Sequence, residues 1–377
     1  MTLSEWIGIN AAIVVLVLPL LFSGRGKAHQ KRLGIRIGLS AESGRPLRYP
    51  SGAGHLITVA PTRAGKGRDI LIPALMECAG SCIVVDPKGE LASVTGHLCQ
   101  QFGDVIVVNP FGLWLKQFAG LILAKFNPVA SLEPSSDSFG ADADKQAEGL
   151  IWQDGADTNH WTESARQLVS GAIMTLAKHG EAADKNLAAV ARVISGDIFG
   201  FCREAMKSPD PFIRQKLGRF AAADAPTNKE LNGIVSTAQT QLRFLGNAAI
   251  ANSLSGSDFR FSDLKKRPMT VYLVLPLEYL DVCGKWFRLI ISSALAALLR
   301  DEKGVPVLMM MDEFAQLGAL KRSKMLWAWP RASASPCGPC FRTLPSLRAC
   351  FRAAGKRSCQ TQPKCSSGLV TSKPRTI

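Results

Sequence analysis

The sequence predicts an α/β protein with a mainly parallel sheet, interrupted by an all-helical insertion and preceded by a transmembrane helix. Three observations carry this reading. Short apolar runs recur, LITVA at 56–60, SCIVVD at 81–86, DVIVVN at 104–109, TVYLVLP at 270–276 and VPVLMMMD at 305–312, and continuous β-rich runs suit strands buried on both faces. Between about 141 and 260 helical periodicity replaces them. The N-terminal stretch from Trp6 to Phe22 contains no charge.

As a helix that stretch would be roughly 25 Å long, enough to span a bilayer. Glu5 stands where a signal peptide would need positive charge. Arg25, Lys27, Lys31, Arg32 and Arg36 follow it, and a basic flank of this kind is retained inside, which predicts a single-pass protein with the bulk of the chain in the cytoplasm. The expected organisation is an anchor over 1–24, a linker of low periodicity over 25–54, a first α/β part over 55–140, the helical insertion over 141–262, a second α/β part over 263–327, and a tail over 328–377.

Two helical faces define the insertion. One holds Trp161, Ala165, Leu168, Val169, Ala172, Ile173 and Leu176; the other holds Leu231, Ile234, Val235, Ala238, Leu242 and Leu245. The second is expected to start at a capping box, Thr227 to Glu230, and to stop at Gly246. Arg166 and the other charges of these helices read as a solvated face.

At 377 residues, with 47% hydrophobic and 20% charged residues, the chain can bury a sizeable core and is not a disordered protein. Its net charge of +15 is concentrated at one end, because Phe314 to Ile377 holds no Asp or Glu. The charge therefore says little about nucleic acid. Cys78, Cys82, Cys99, Cys202 and Cys283 lack paired spacing and read as reduced thiols. Cys337 and Cys340 have zinc-ligand spacing, but no second close pair follows.

Chemistry is signalled twice. In LITVAPTRAGKGRDILIPAL a Gly/Lys turn lies between a buried strand and an amphipathic helix, the context of a phosphate-binding loop. The loop comprises Pro61, Thr62, Arg63, Ala64, Gly65, Lys66 and Gly67. Gly65 permits a close turn whose N–H groups face phosphate oxygens, and Lys66 brings a point charge to them. Ala60 replaces the usual first Gly. Gly67 replaces the usual Ser/Thr, so water or a carboxylate elsewhere must complete a magnesium shell. The second signal is VLMMMDEFAQLG, a strand delivering Asp312, to hold magnesium through water, and Glu313, to polarise the attacking water. Asp86 and Lys88, in VVDPKGEL, are open between a place near this site and a solvent-exposed turn with a local ion pair.

APTRAGKGRDILIP, VVDPKGEL at 84–91, NPF at 109–111, FNP at 126–128 and DEFAQLG at 312–318 together resemble the TraG-like conjugative coupling proteins of type IV secretion. The resemblance covers about residues 55–327. It implies a membrane-anchored, RecA-like P-loop ATPase of the bacterial inner membrane that uses ATP and Mg2+. It also implies a homo-hexameric ring that passes single-stranded DNA with its relaxase, or protein substrates, to the type IV secretion channel, and a helical insertion that recognises substrate. Lys66, Asp312 and Glu313 are then the nucleotide residues.

Beyond about residue 327 the sequence leaves the family pattern and becomes rich in Pro, Ser, Arg and Cys. It reads as an out-of-frame, disordered tail, which leads to an expectation of impaired hydrolysis. The alternative functions are a non-hydrolysing membrane adaptor acting through the helical insertion and, more weakly, a P-loop kinase of small substrates.

Overall fold

The computed structural model describes residues 13–20, 35–49, 56–60, 64–78, 80–152, 160–300 and 304–312. Pro61, Thr62, Arg63, Glu313 and the tail over 328–377 lie outside the described residues. The chain divides into two compact units, one of residues 1–105, 265–272 and 302–377, the other of residues 106–264 and 273–301.

The first unit contains β1 (Ile13–Leu20), β2 (Ile35–Leu39), β3 (Pro46–Tyr49), β4 (Leu56–Ala60), α1 (Ile72–Met76), β5 (Ser81–Val85) and α2 (Glu90–Cys99), with β6 (Asp104–Val108) at its boundary. The five expected strand runs all form strands, because each is a short apolar stretch closed by Pro, Asp or Asn. Within the unit the sheet order is β4-β1-β9-β5-β8, where β8 is Met269–Leu273 and β9 is Val307–Met311. Every residue of β5, β8 and β9 is buried.

Two segments depart from the expected organisation. The stretch expected to be an anchor helix contributes β1, which pairs antiparallel with both β4 and β9. An uncharged run rich in Ile and Val satisfies a central strand as readily as a bilayer, and hydropathy does not separate the two. The expected linker contains a hairpin, β2 with β3, whose Arg36 and Arg48 both bind the Glu77 carboxylate beyond α1.

The second unit pairs β6 with β7 (Ile122–Leu123) in parallel. It is otherwise helical: α3 (Phe139–Leu150), α4 (His160–His179), α5 (Leu187–Ser195), α6 (Ile198–Ala205), α7 (Pro211–Ala221), α8 (Lys229–Leu242), α9 (Ala248–Ser253) and α10 (Leu280–Arg300). The predicted faces of α4 and α8 are buried, except that Trp161 sits at the rim, 39% exposed. The cap of α8 is Asn228 and not Thr227: its side chain accepts from the N–H groups of Glu230 and Leu231, while the Thr227 hydroxyl donates to the Asp224 carbonyl. Arg166 is not a solvated charge, since its Nε donates to the Ile151 carbonyl at 3.1 Å and its Nη1 to Glu163.

Among the described residues one helix, Leu277–Arg300, is long and apolar enough to cross a membrane. It is a core helix of its unit. Trp286, Phe287, Leu289, Ile290 and Ile291 are buried, Trp286 donates to the Ser253 hydroxyl at 3.0 Å, and Lys285 donates to the carbonyl and side-chain oxygen of Gln241. Such a half-buried pattern satisfies polar groups inside protein, not lipid.

Candidate nucleotide site

The loop after β4 is shaped by Gly65, whose φ of +82° is open to glycine and strained for other residues. A Cβ there would stand 2.5 Å from Asp69 Oδ2. The Gly65 carbonyl accepts from the Asp69 N–H at 2.8 Å, which starts the chain into a helix. Lys66 adopts helical angles at its head, Gly67–Leu71 forms a π-helical turn, and α1 continues it with Pro in its first turn. Lys66 is only 8% exposed. A lysine drawn in to that degree is not the surface lysine of an ordinary turn. Arg68 grips Asp69 with Nε to Oδ1 at 2.7 Å and Nη2 to Oδ2 at 3.1 Å, and this hydrogen bond holds the Asp69 carboxyl below its usual range. Gly67 has open space where a side chain would be, so no hydroxyl is offered from that position.

The carboxylates come from two neighbouring parallel strands. β5 and β9 pair from Ser81 with Val307 to Val85 with Met311, and the next residues are Asp86 and Asp312. The Asp312 N–H donates to the Val85 carbonyl at 3.0 Å. Asp312 is half-buried; Asp86 is wholly buried. Asp86 Oδ2 accepts from the Ala92 N–H at 2.8 Å, capping the first turn of α2. Its Oδ1 makes no hydrogen bond among the described residues. Burial pushes the Asp86 carboxyl up to about 7, the Ala92 N–H opposes the shift, and the charge of Asp312 adds to it. Gly89, at a φ of +70°, turns the chain from Asp86 into α2. Asp86 is therefore not part of a solvent-exposed turn, and Lys88 beside it is half-buried.

Strand directions bring these groups to one edge. β4 and β9 are each antiparallel to β1, so they run parallel to one another, and β5 runs parallel to β9. The carboxyl ends of β4, β9 and β5 thus open on the same side, where α/β sheets bind ligands. β4 and β9 are two strand spacings apart, roughly 10 Å, and β4 ends opposite Ile13 while β9 ends opposite Leu16. Ala64, Gly65, Lys66 and Gly67 lie in the turn that leads from β4 into α1, and Asp312 lies one residue past the end of β9. Asp86 is the residue that the sequence reading left undecided; the signal available was an apolar run closed by an acid and a turn glycine.

The family model of the type IV secretory system conjugative DNA transfer proteins matches residues 26–331. The protein VirD4 of Rhizobium radiobacter is 27% identical over 277 residues, covering 71% of this chain and 38% of that protein. A conjugal transfer protein TraG of Escherichia coli is 27% identical over 296 residues, covering 72% and 45%. The chain thus spans less than half the length of these relatives. Among solved structures, the plasmid coupling protein TrwB in complex with ADP and Mg2+ covers 75% of this chain and 61% of its own, at 12% identity and a TM-score of 0.43.

Proposed function

Since the chain belongs to the type IV secretory system conjugative DNA transfer family, we propose that it is a nucleotide-dependent coupling protein that works at a type IV secretion channel. The single observation that carries the proposal is that Gly65, Lys66 and Asp312 follow the carboxyl ends of β4 and β9, which run in the same direction in one sheet. ATP is the proposed ligand: backbone N–H groups of the loop from Pro61 to Gly67 cradle its phosphates, and Lys66 neutralises them. Mg2+, when bound, screens the charge that develops on the transferred phosphoryl group. Asp312 would hold it through water, and Glu313 would orient the attacking water.

The proposed substrates are single-stranded DNA with its relaxase, or protein. The proposed partners are the channel components, and the proposed assembly is a homo-hexamer at the bacterial inner membrane. Weak turnover is proposed as well, because the residues past 331 lie outside the family match.

Lys66→Ala tests the reading. Affinity for a fluorescent ATP analogue should drop several-fold or more while folding is kept, and equal affinity in the two forms would remove it. Nucleotide binding with no turnover in either wild type or Glu313→Gln would favour the non-hydrolysing adaptor instead.

A further inference from the structure

We infer that Asp86 is a second carboxylate of the magnesium site, its Oδ1 accepting a hydrogen bond from a metal-bound water alongside Asp312. The inference rests on the nucleotide reading above and deepens it.

Two independent observations meet at this residue. Magnesium requires a nearly complete shell of oxygen ligands, and Gly67 stands where a hydroxyl would supply one. The shell therefore needs an oxygen from elsewhere. Asp86 offers one: it is wholly buried, and its Oδ1 has no hydrogen-bond partner among the described residues. A buried carboxylate oxygen left unmatched is a cost that native folds avoid unless a water or an ion completes it. Capping of α2 does not explain the residue, because Oδ2 alone serves that role and an amide would serve it equally.

Asp86→Asn in the full chain separates the two roles, since the amide keeps an acceptor for the Ala92 N–H and loses the charge. Metal-free affinity for a fluorescent ATP analogue should stay within about twofold of wild type, while Mn2+ affinity of the nucleotide complex, read by electron paramagnetic resonance, should fall roughly tenfold or more. Asp86→Glu serves as the second variant and should fall between the two. Unchanged Mn2+ affinity in Asp86→Asn would overturn the inference. So would loss of metal-free nucleotide binding in both variants, which would assign Asp86 to the fold. If the wild-type chain binds no nucleotide, the nucleotide reading itself falls; if it binds and only the metal effect is missing, the Asp86 assignment alone falls.

Discussion

Asp86 and Asp312 end adjacent parallel strands, one step past the Val85–Met311 pair, and the N–H of Asp312 is hydrogen-bonded to the Val85 carbonyl at 3.0 Å. This places a wholly buried carboxyl beside a half-buried one. Two carboxylates so placed do not both ionise without cost.

The first prediction follows from that cost. The folded-state value for Asp86 is about 7, against 3.8 without the fold. Below about pH 4 both states hold the proton and no penalty exists. As pH rises toward 7 the unfolded chain releases the proton while the folded chain keeps it, so stability should fall through this window and level off above it. A shift of about three units corresponds to on the order of 4 kcal/mol. Urea midpoints of the metal-free, nucleotide-free chain across the window should show the decline, and Asp86→Asn should flatten it. An equal slope in the variant would place the pH dependence elsewhere.

The second prediction contrasts two glycines of the phosphate loop. Gly65→Ala forces a side chain into a left-handed backbone and within 2.5 Å of Asp69 Oδ2, so it should cost about 1–2 kcal/mol and weaken ATP binding. Gly67→Ala meets open space and should be tolerated in thermal unfolding. Equal effects of the two would mean that the turn is not held in this conformation.

Much of this architecture was legible in the residues. Five strands were readable because a buried strand is a short apolar run with nothing else to be. The loop at Gly65 and Lys66 was readable because its glycine and lysine sit between such a strand and a helix. What was not legible depended on neighbours distant in sequence. Asp86 became a buried carboxylate only when β9 laid Asp312 beside it. Ile13–Leu20 fits either lipid or the space between β4 and β9. Asn228 and Thr227 both have capping side chains, and only the chain path from Asp224 decides between them.

A third prediction tests the core of the helical unit. Trp286 is wholly buried, and its indole N–H donates to the Ser253 hydroxyl. Ser253→Ala leaves that donor unmatched in an apolar setting, which should cost about 1–3 kcal/mol. Ser255→Ala, at an exposed position, should change stability by less than about 0.5 kcal/mol. Denaturant unfolding followed by tryptophan fluorescence reads both, and a Ser253→Ala effect no larger than the control would show that the hydrogen bond contributes nothing.

The last prediction concerns Ile13–Leu20, which cannot lie between β4 and β9 and cross a bilayer at the same time. The strand register sets Val14 opposite Val59 and Val15 opposite Thr58. Successive antiparallel pairs alternate between wide and narrow spacing, about 5.5 and 4.5 Å between Cα atoms. Both values lie within the range that a disulfide accepts. Cysteines introduced at both members of either pair should therefore cross-link under mild oxidation, the narrower pair more readily. Among the described residues the native thiols Cys78, Cys82, Cys99, Cys202 and Cys283 are free, and the sequence holds ten cysteines in all, so the new bond must be located by proteolysis and mass spectrometry. A cross-link in both the Val14–Val59 and Val15–Thr58 pairs, and none when Val14 is combined with Thr270→Cys on β8, would fix the segment as a strand. If neither pair forms and the intact chain is recovered only from membranes, the segment is the anchor that its hydropathy predicts, and β4 and β9 are left without β1 between them.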